Sequence, residues 1–284
     1  MMDSDKAVDN AQKAVSALTE IINLAKDDPD AKEAARNLAK SARTITQTIN
    51  TCLLPLAAVN YSIESAKEYF INGGFKKDLE EVTRYITPEN LIEPKASIAG
   101  PALQGMAFSI DEEELKNMYL RLIASAMDRD SANTIHPAFA EIIKQLSVDD
   151  AIFLNYLVND TPSFIPVVDF HQTIDGKIGG ITVVRDYGEY IWKAGMKNGK
   201  LYNLCIDNLL RLRLIQKIPS NHLTEGYDEL IPPLLEAFSK QNEGMVKASY
   251  HPDKSFLKLT ALGQQFVGSC IDKEWKESPL MFFL

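Results

Sequence analysis

Cysteine and histidine are scarce in this chain of 284 residues. The three cysteines are Cys52, Cys205 and Cys270. They lie far apart in apolar runs and form no Cys-x-x-Cys pair, which argues against a zinc ribbon or a thioredoxin-like site and predicts buried thiols in a reducing compartment. A thiol nucleophile would need a base beside it. The four histidines that could supply one are His136, His171, His222 and His251.

The chain also lacks the short motifs that hold phosphates, zinc or an activated serine, such as Gly-x-x-x-x-Gly-Lys, His-Glu-x-x-His and Gly-x-Ser-x-Gly. The acidic run 111–114 is predicted to occupy the first turn of a helix, where negative charge interacts favourably with the helix dipole. His136 and Glu141 are five residues apart, which is the wrong spacing for joint metal ligation on a helix. We therefore expect no catalytic residue, no metal, no cofactor and no small-molecule substrate.

No apolar run is long enough to span a membrane. The most apolar stretch, 52–59, is far shorter than the roughly 20 residues that a spanning helix needs. A buried core helix is the preferred interpretation, and a membrane-active hairpin around Pro55 is the alternative. The first residues are polar and acidic rather than a secretory signal. The predicted location is cytoplasmic.

Basic residues are outnumbered, with 30 Lys and Arg against 39 Asp and Glu and a net charge of -9. A protein that binds nucleic acid over its whole surface is normally basic, so such binding would need a local patch. One local excess of positive charge surrounds Asp207. The candidate contacts to nucleic acid or to an acidic partner are Lys197, Lys200, Arg211, Arg213 and Lys217. Cations at the end of a helix that satisfy its dipole are the alternative explanation.

What is present is enough apolar material for a core, since 45% of the residues are hydrophobic. Up to about Asn159, apolar residues recur in steps of three and four, which predicts helices. From Thr161, β-branched runs punctuated by glycine predict strands that end by Leu259. A further helix is predicted over 202–214. The residues predicted near one face of it are Leu201, Leu204, Cys205, Asn208, Leu209 and Leu212. The residues expected to be buried include Leu122, Phe139, Ile143, Leu146, Leu209, Leu212 and Phe266.

The order of elements near the C-terminus is a helix, a strand, an excursion, a strand and a helix. This order is typical of a winged helix, in which a recognition helix precedes a two-stranded wing. The predicted fold is mainly α with a small β part: an N-terminal helical bundle followed by a winged-helix-like domain. The predicted domains are an α-helical domain at 1–146 and a winged-helix-like α/β domain at 147–284, with an acidic insertion near 219–247.

Five ordered stretches of the sequence resemble one known family, the abortive infection alpha family of bacterial phage-defence proteins. The stretches are 111–115, 122–128, 136–147, 207–215 and 259–266. The likeness extends roughly from Glu93 to Cys270, and Arg213 stands where the family pattern leads us to expect glycine. The resemblance implies a role in abortive infection, in which an infected cell is sacrificed or arrested. It supplies no catalytic residues.

Three functions remain open at this point. The preferred one is a non-enzymatic defence protein that acts through protein-protein contacts, either with a partner or by self-association. The first alternative is a winged-helix DNA-binding transcriptional regulator, and the second is a membrane-perturbing effector. Nucleic acid and a membrane are the partners that these alternatives imply.

Overall fold

The computed structural model describes residues 36, 66, 68–70, 72–161, 164–174, 178–219, 226–241 and 248–272. Within these ranges, the residues up to Gln145 and those from Gly268 onward form one compact unit, and those from Leu146 to Val267 form a second. Whether each part folds independently, with a boundary after residue 146, stays a prediction. The hairpin around Pro55 lies outside the described residues. In the part of the chain that is described, no helix is both long and apolar enough to cross a membrane.

The first unit is helical. Its helices are α1 (Gly74–Thr83), α2 (Ala96–Phe108), α3 (Glu113–Ala126) and α4 (Phe139–Ile143), with a 3-10 turn at Pro88–Asn90. Acidic side chains occupy the first turn of α3, as predicted, at Glu113 and Glu114. A capping box at Ser109 and Glu112, which the spacing of these residues suggests, does not form, because the N-cap residue is Glu112 and no side chain caps the helix.

The core of the first unit depends on a close approach between α2 and α3. Tyr119 is fully buried. A Cβ atom at Gly105 would lie only 2.3 Å from the Tyr119 hydroxyl oxygen, so a residue without a side chain is needed there. The same hydroxyl donates to the backbone oxygen of Ala140 at 3.4 Å. A glycine on one helix thus makes room for the buried tyrosine of another.

The second unit mixes helices and strands. In chain order its elements are α5 (Val148–Asn159), β1 (Phe164–Ile174), β2 (Gly180–Tyr187), α6 (Tyr190–Lys193), α7 (Tyr202–Arg211), β3 (Ile215–Pro219), α8 (Ile231–Gln241), β4 (Ala248–Leu259) and α9 (Ala261–Cys270). The last turn of α9 belongs to the first unit. Ser147 and Asp150 form the capping box of α5 that their spacing indicates.

The four strands form one antiparallel sheet in the order β2-β1-β4-β3. β1 pairs with β4 along its whole length, from Phe164 opposite Lys258 to Ile174 opposite Ala248. Val168 and Phe170 are buried with Tyr227 and Leu230, and apolar side chains of α8 pack against this cluster. The helix covers one sheet face because its apolar side chains recur at 231, 234, 235 and 238, the spacing of a single helical stripe.

The prediction of a mainly α protein with a winged-helix-like C-terminal domain is wrong. The observed fold is mixed α and β, and the strands that were expected to form a two-stranded wing, β3 and β4, belong to a four-stranded sheet. The excursion between them holds α8, which packs on the sheet. The physical reason is that β4 has 12 residues and uses its second edge to pair with β1, which a wing would leave open.

Six of the seven residues named as core are buried, and Leu212 is half-buried. Leu212 is the C-cap residue of α7, so it lies beyond the last turn in which helical spacing fixes the buried face. Among the described residues, the strands of the sheet all lie between Phe164 and Leu259, as predicted.

Candidate functional site

Charged side chains from four separate segments converge on the sheet of the second unit. We call them the ion-pair cluster: Asp169 of β1, Arg185 and Asp186 of β2, Asp207 of α7 and Lys217 of β3. The Lys217 Nζ lies 2.7 Å from Asp169 Oδ2 and 2.6 Å from Asp186 Oδ1. Arg185 joins Asp186, with Nε 3.3 Å from Oδ2, to Asp207, with Nη2 2.6 Å from Oδ2.

The inner part of the cluster is shielded from solvent, because the Asp186 side chain is 3% exposed and that of Lys217 is 22% exposed. Burial works to lower the pKa of Lys217, but the hydrogen bonds to Asp169 and Asp186 outweigh it and the pKa lies above its ordinary value. Lys217 is therefore charged at neutral pH. Its ammonium group neutralises two carboxylates that would otherwise repel each other.

Asp186 is held in an unusual backbone conformation. Its φ is 54°, in the left-handed region that residues with a side chain seldom adopt. Its N–H donates to Asp169 Oδ1 at 2.8 Å, and its backbone oxygen accepts from the buried Tyr190 hydroxyl at 2.5 Å. These hydrogen bonds hold Asp186 in its strained backbone conformation, with its carboxylate directed toward Lys217.

The charged side chains of the ion-pair cluster are paired with one another. Each of its three carboxylates faces a cation at hydrogen-bond distance. Over the described ranges, no group of three or more His, Cys, Asp or Glu side chains is positioned to hold a metal ion. The arrangement suits a rigid platform for the neighbouring surface, because every charge is already opposed by a fixed partner.

The surface beside the cluster is the outer side of α7, with the 3-10 turn Gly199–Leu201 before it. We call the exposed residues Lys200, Leu201, Leu204, Asp207 and Arg211 the α7 face. Leu201 is 52% exposed and Leu204 is 65% exposed, whereas Cys205 and Leu209, which were predicted to lie near the same face, are buried. The buried face of α7 consists of Cys205, Ile206 and Leu209. At about 100° per residue these three side chains span roughly 100° of the helix circumference, and Leu204 lies about 150° from the middle of that arc.

The five predicted basic residues differ in their surroundings, and their contact with nucleic acid or an acidic partner stays a prediction. Lys197, Lys200, Arg211 and Arg213 are exposed, whereas Lys217 is directed into the ion-pair cluster. Arg211 donates to the Asn208 side-chain oxygen at 2.7 Å. Sequence reasoning missed Asp169, Arg185 and Asp186, which are distant in the chain. One available signal was alternation along β1, which places Asp169 on the same side as the buried Ile165 and Val167.

Arg213 occupies the turn after α7. Its φ is 59°, and it takes the position that glycine commonly fills at a helix end. The Leu214 N–H donates to the Leu209 oxygen and the Arg213 N–H to the Leu210 oxygen, both at 3.0 Å, which is the Schellman pattern. Arg213, which stands where the family pattern leads us to expect glycine, therefore has a strained backbone conformation.

The cysteines and histidines that the structure describes occupy several different environments. Cys205 and Cys270 are buried, and burial raises the pKa of each thiol, so both are poor nucleophiles. His136 Nδ1 accepts a hydrogen bond from the Ala138 N–H at the entry to α4. His171 contacts Thr182 and Asp253, and His251 contacts Thr173. Cys52 and His222 lie outside the described residues.

Comparison with known proteins gives one family match. The family model described as abortive infection alpha matches residues 66–270. No curated protein matches the chain significantly. A solved structure of an uncharacterized protein from the hydrocarbon-degrading marine bacterium Alcanivorax borkumensis SK2 is 17% identical, with 49% of this chain and 92% of that chain covered and a TM-score of 0.27. A TM-score this low carries no argument about fold or function.

Proposed function

Since the chain belongs to the abortive infection alpha family, we propose that it serves anti-phage defence as a non-enzymatic protein that acts through contacts with protein partners. The family match carries the defence role. The cytoplasmic location remains a prediction as well.

The state of the reactive side chains supports action without turnover. The carboxylates of the ion-pair cluster are each opposed by Lys217 or Arg185. The two described thiols are buried, with pKa values raised by that burial. Catalysis needs an acid, base or nucleophile within reach of a substrate, and groups engaged in this way serve it poorly.

The exposed apolar side chains support action by contact. Trp192 is 50% exposed and lies in the same unit as the exposed Leu201 and Leu204. Large apolar side chains at the surface are enriched where proteins bind each other.

The test is a phage challenge of bacteria that express the full chain, with plating efficiency as the readout. The wild type should reduce plating of at least one phage in a panel. His136→Ala, Glu141→Ala, His171→Ala and Cys205→Ser should protect as well as the wild type does, provided circular dichroism shows that they fold. If one of these folded variants lost all protection, a catalytic or ligand site would exist and the proposal would fail. It would also fail if the wild type protected against none of the phages.

A further inference from the structure

We propose that the α7 face binds an acidic, leucine-bearing helical segment of a partner protein. The inference rests on the proposed function: that function requires contact with a protein partner, and the inference names the surface that makes the contact and the chemistry of the partner.

The apolar part of the α7 face is a pair of leucines. Leu201 ends the 3-10 turn that leads into α7, and Leu204 lies three residues later in the first turn of the helix. Both are more than half exposed, although the second unit buries leucines elsewhere, as at Leu209 and Leu257. Two adjacent leucines suit the apolar stripe of a second helix, whose own anchors repeat every three to four residues.

The charged part of the α7 face is positive because the nearby carboxylates already have hydrogen-bonded partners. Both Asp149 carboxylate oxygens accept backbone N–H groups, from Lys197 at 2.6 Å and from Asn198 at 3.0 Å. Asp207 is held by Arg185 at 2.6 Å. The side chains of Lys197, Lys200, Arg211 and Arg213 are exposed around them. This is a local positive surface on a chain whose net charge is -9.

These features favour an acidic protein segment over nucleic acid. The phosphates of nucleic acid interact favourably with cations but not with exposed leucines. A helix that carries both leucine and glutamate complements both the apolar and the charged part of the face. Asp207, the acidic residue of the face, is paired with Arg185, so it does not cancel the charge of the neighbouring cations. This ion pair joins β2 to α7 at an Nη2–Oδ2 distance of 2.6 Å.

The experiment measures binding of a fluorescein-labelled synthetic helical peptide to the full chain by anisotropy. The probe carries leucine at helical positions i, i+3, i+4 and i+7, and glutamate on both flanks of that stripe. Two comparison peptides replace glutamate with lysine, or leucine with serine. We expect saturable binding of the first peptide only, weakened at least tenfold by Leu204→Asp and by Lys200→Glu in the protein.

Matched controls use residues of the same type and exposure elsewhere. Ile178→Asp changes an apolar side chain in the same unit that is fully exposed, and Lys144→Glu changes a lysine whose side chain is 60% exposed. Both should leave the peptide affinity unchanged. Urea unfolding should give wild-type midpoints for all four variants, because each site is exposed.

Several outcomes would overturn the inference. They are no saturation with the acidic peptide, equal binding of the lysine peptide, an unchanged affinity in Leu204→Asp, tighter binding of duplex DNA to the same face, and a Leu204-dependent dimer in light scattering. If the inference fails while the alanine and serine variants still protect against phage, the proposed function stands and only its partner surface is wrong.

Discussion

Arg213 carries a backbone conformation that suits glycine. For a residue with a side chain, the left-handed region costs about 1–2 kcal/mol, whereas the extra freedom of an unfolded glycine costs about 0.5–1 kcal/mol. At φ 59° the first effect is larger. The strain is local to one turn, so its relief should leave the rest of the second unit unchanged.

Arg213→Gly should therefore stabilise the protein by about 0.5–1 kcal/mol. Urea unfolding followed by circular dichroism measures this as a higher midpoint with an unchanged slope. The control is Arg211→Gly, two residues earlier in the last turn of α7, which should destabilise as glycine does in a helix. If Arg213→Gly is less stable than the wild type, the left-handed turn is not the state that the protein adopts.

Lys217 neutralises two carboxylates, of which Asp186 is shielded from water and Asp169 is 20% exposed. Lys217→Met removes the cation from Asp169 and from the 3%-exposed Asp186, which should destabilise the protein on the order of 3 kcal/mol. Adding Asp169→Asn and Asp186→Asn should restore part of the loss, because the uncompensated charges are then gone. Chemical unfolding of the single and triple variants measures both effects. A triple variant less stable than Lys217→Met would mean that the carboxylates stabilise the fold without their cation.

The same lysine gives a pH dependence of known sign. The pKa of Lys217 is raised above its ordinary 10.5 in the folded protein. Protonated Lys217 therefore contributes stability in full at pH values below that ordinary pKa, and the contribution is lost as the pH rises through the raised pKa. The stability difference between wild type and Lys217→Met should be constant from about pH 7 to 9 and shrink above about pH 10.5. A difference that grows on raising the pH would contradict this assignment.

At the scale of elements, the start of α9 packs unusually closely against the turn after α7. The Thr260 hydroxyl donates to the Arg213 oxygen and accepts the Gly263 N–H at 3.0 Å, so the residue that caps this helix also ties it to the turn. A Cβ atom at Gly263 would lie 1.9 Å from the Leu214 backbone oxygen. The contact is possible only without a side chain.

Gly263→Ala should destabilise the protein by about 1–3 kcal/mol or more, since backbone must move to admit the methyl group. Gly268→Ala is the matched control in the same helix, because its Cβ would meet no atom within 4 Å. That variant should be stabilised by about 0.5–1 kcal/mol, the usual gain of alanine over glycine in a helix. Thermal unfolding of both variants checks the pair, and equal effects of the two changes would argue against the close approach.

At the scale of the whole molecule, net charge opposes nucleic-acid binding. The chain carries -9, and Lys217, one of the five expected contacts, is directed into the ion-pair cluster. We therefore expect no salt-dependent binding of duplex DNA near 100 mM salt, as measured by anisotropy. Affinity that falls steeply with salt and disappears in Arg211→Glu/Arg213→Glu would contradict this and identify a DNA surface at the end of α7.

Local features were readable from the sequence. The helical stripes, the Ser147–Asp150 capping box, the cap at Thr260 and the strand runs of β1 and β2 all depend on residues within a few positions of each other. So does most of the core, because periodicity alone selects the buried side of an element. These features hold whatever the rest of the chain does.

The tertiary structure decided which distant segments meet. β1 pairs with β4, and this pairing replaced the expected wing with a four-stranded sheet on which α8 packs. Lys217 meets Asp169 and Asp186 across 48 and 31 residues, so folding removes this one lysine from the group of basic residues that the sequence places around Asp207. Strand pairing and ion pairing join groups that are remote in sequence, and the same local pattern of residues is compatible with several arrangements of the chain. Their choice is made by the packing energy of the whole unit, which no short window of sequence contains.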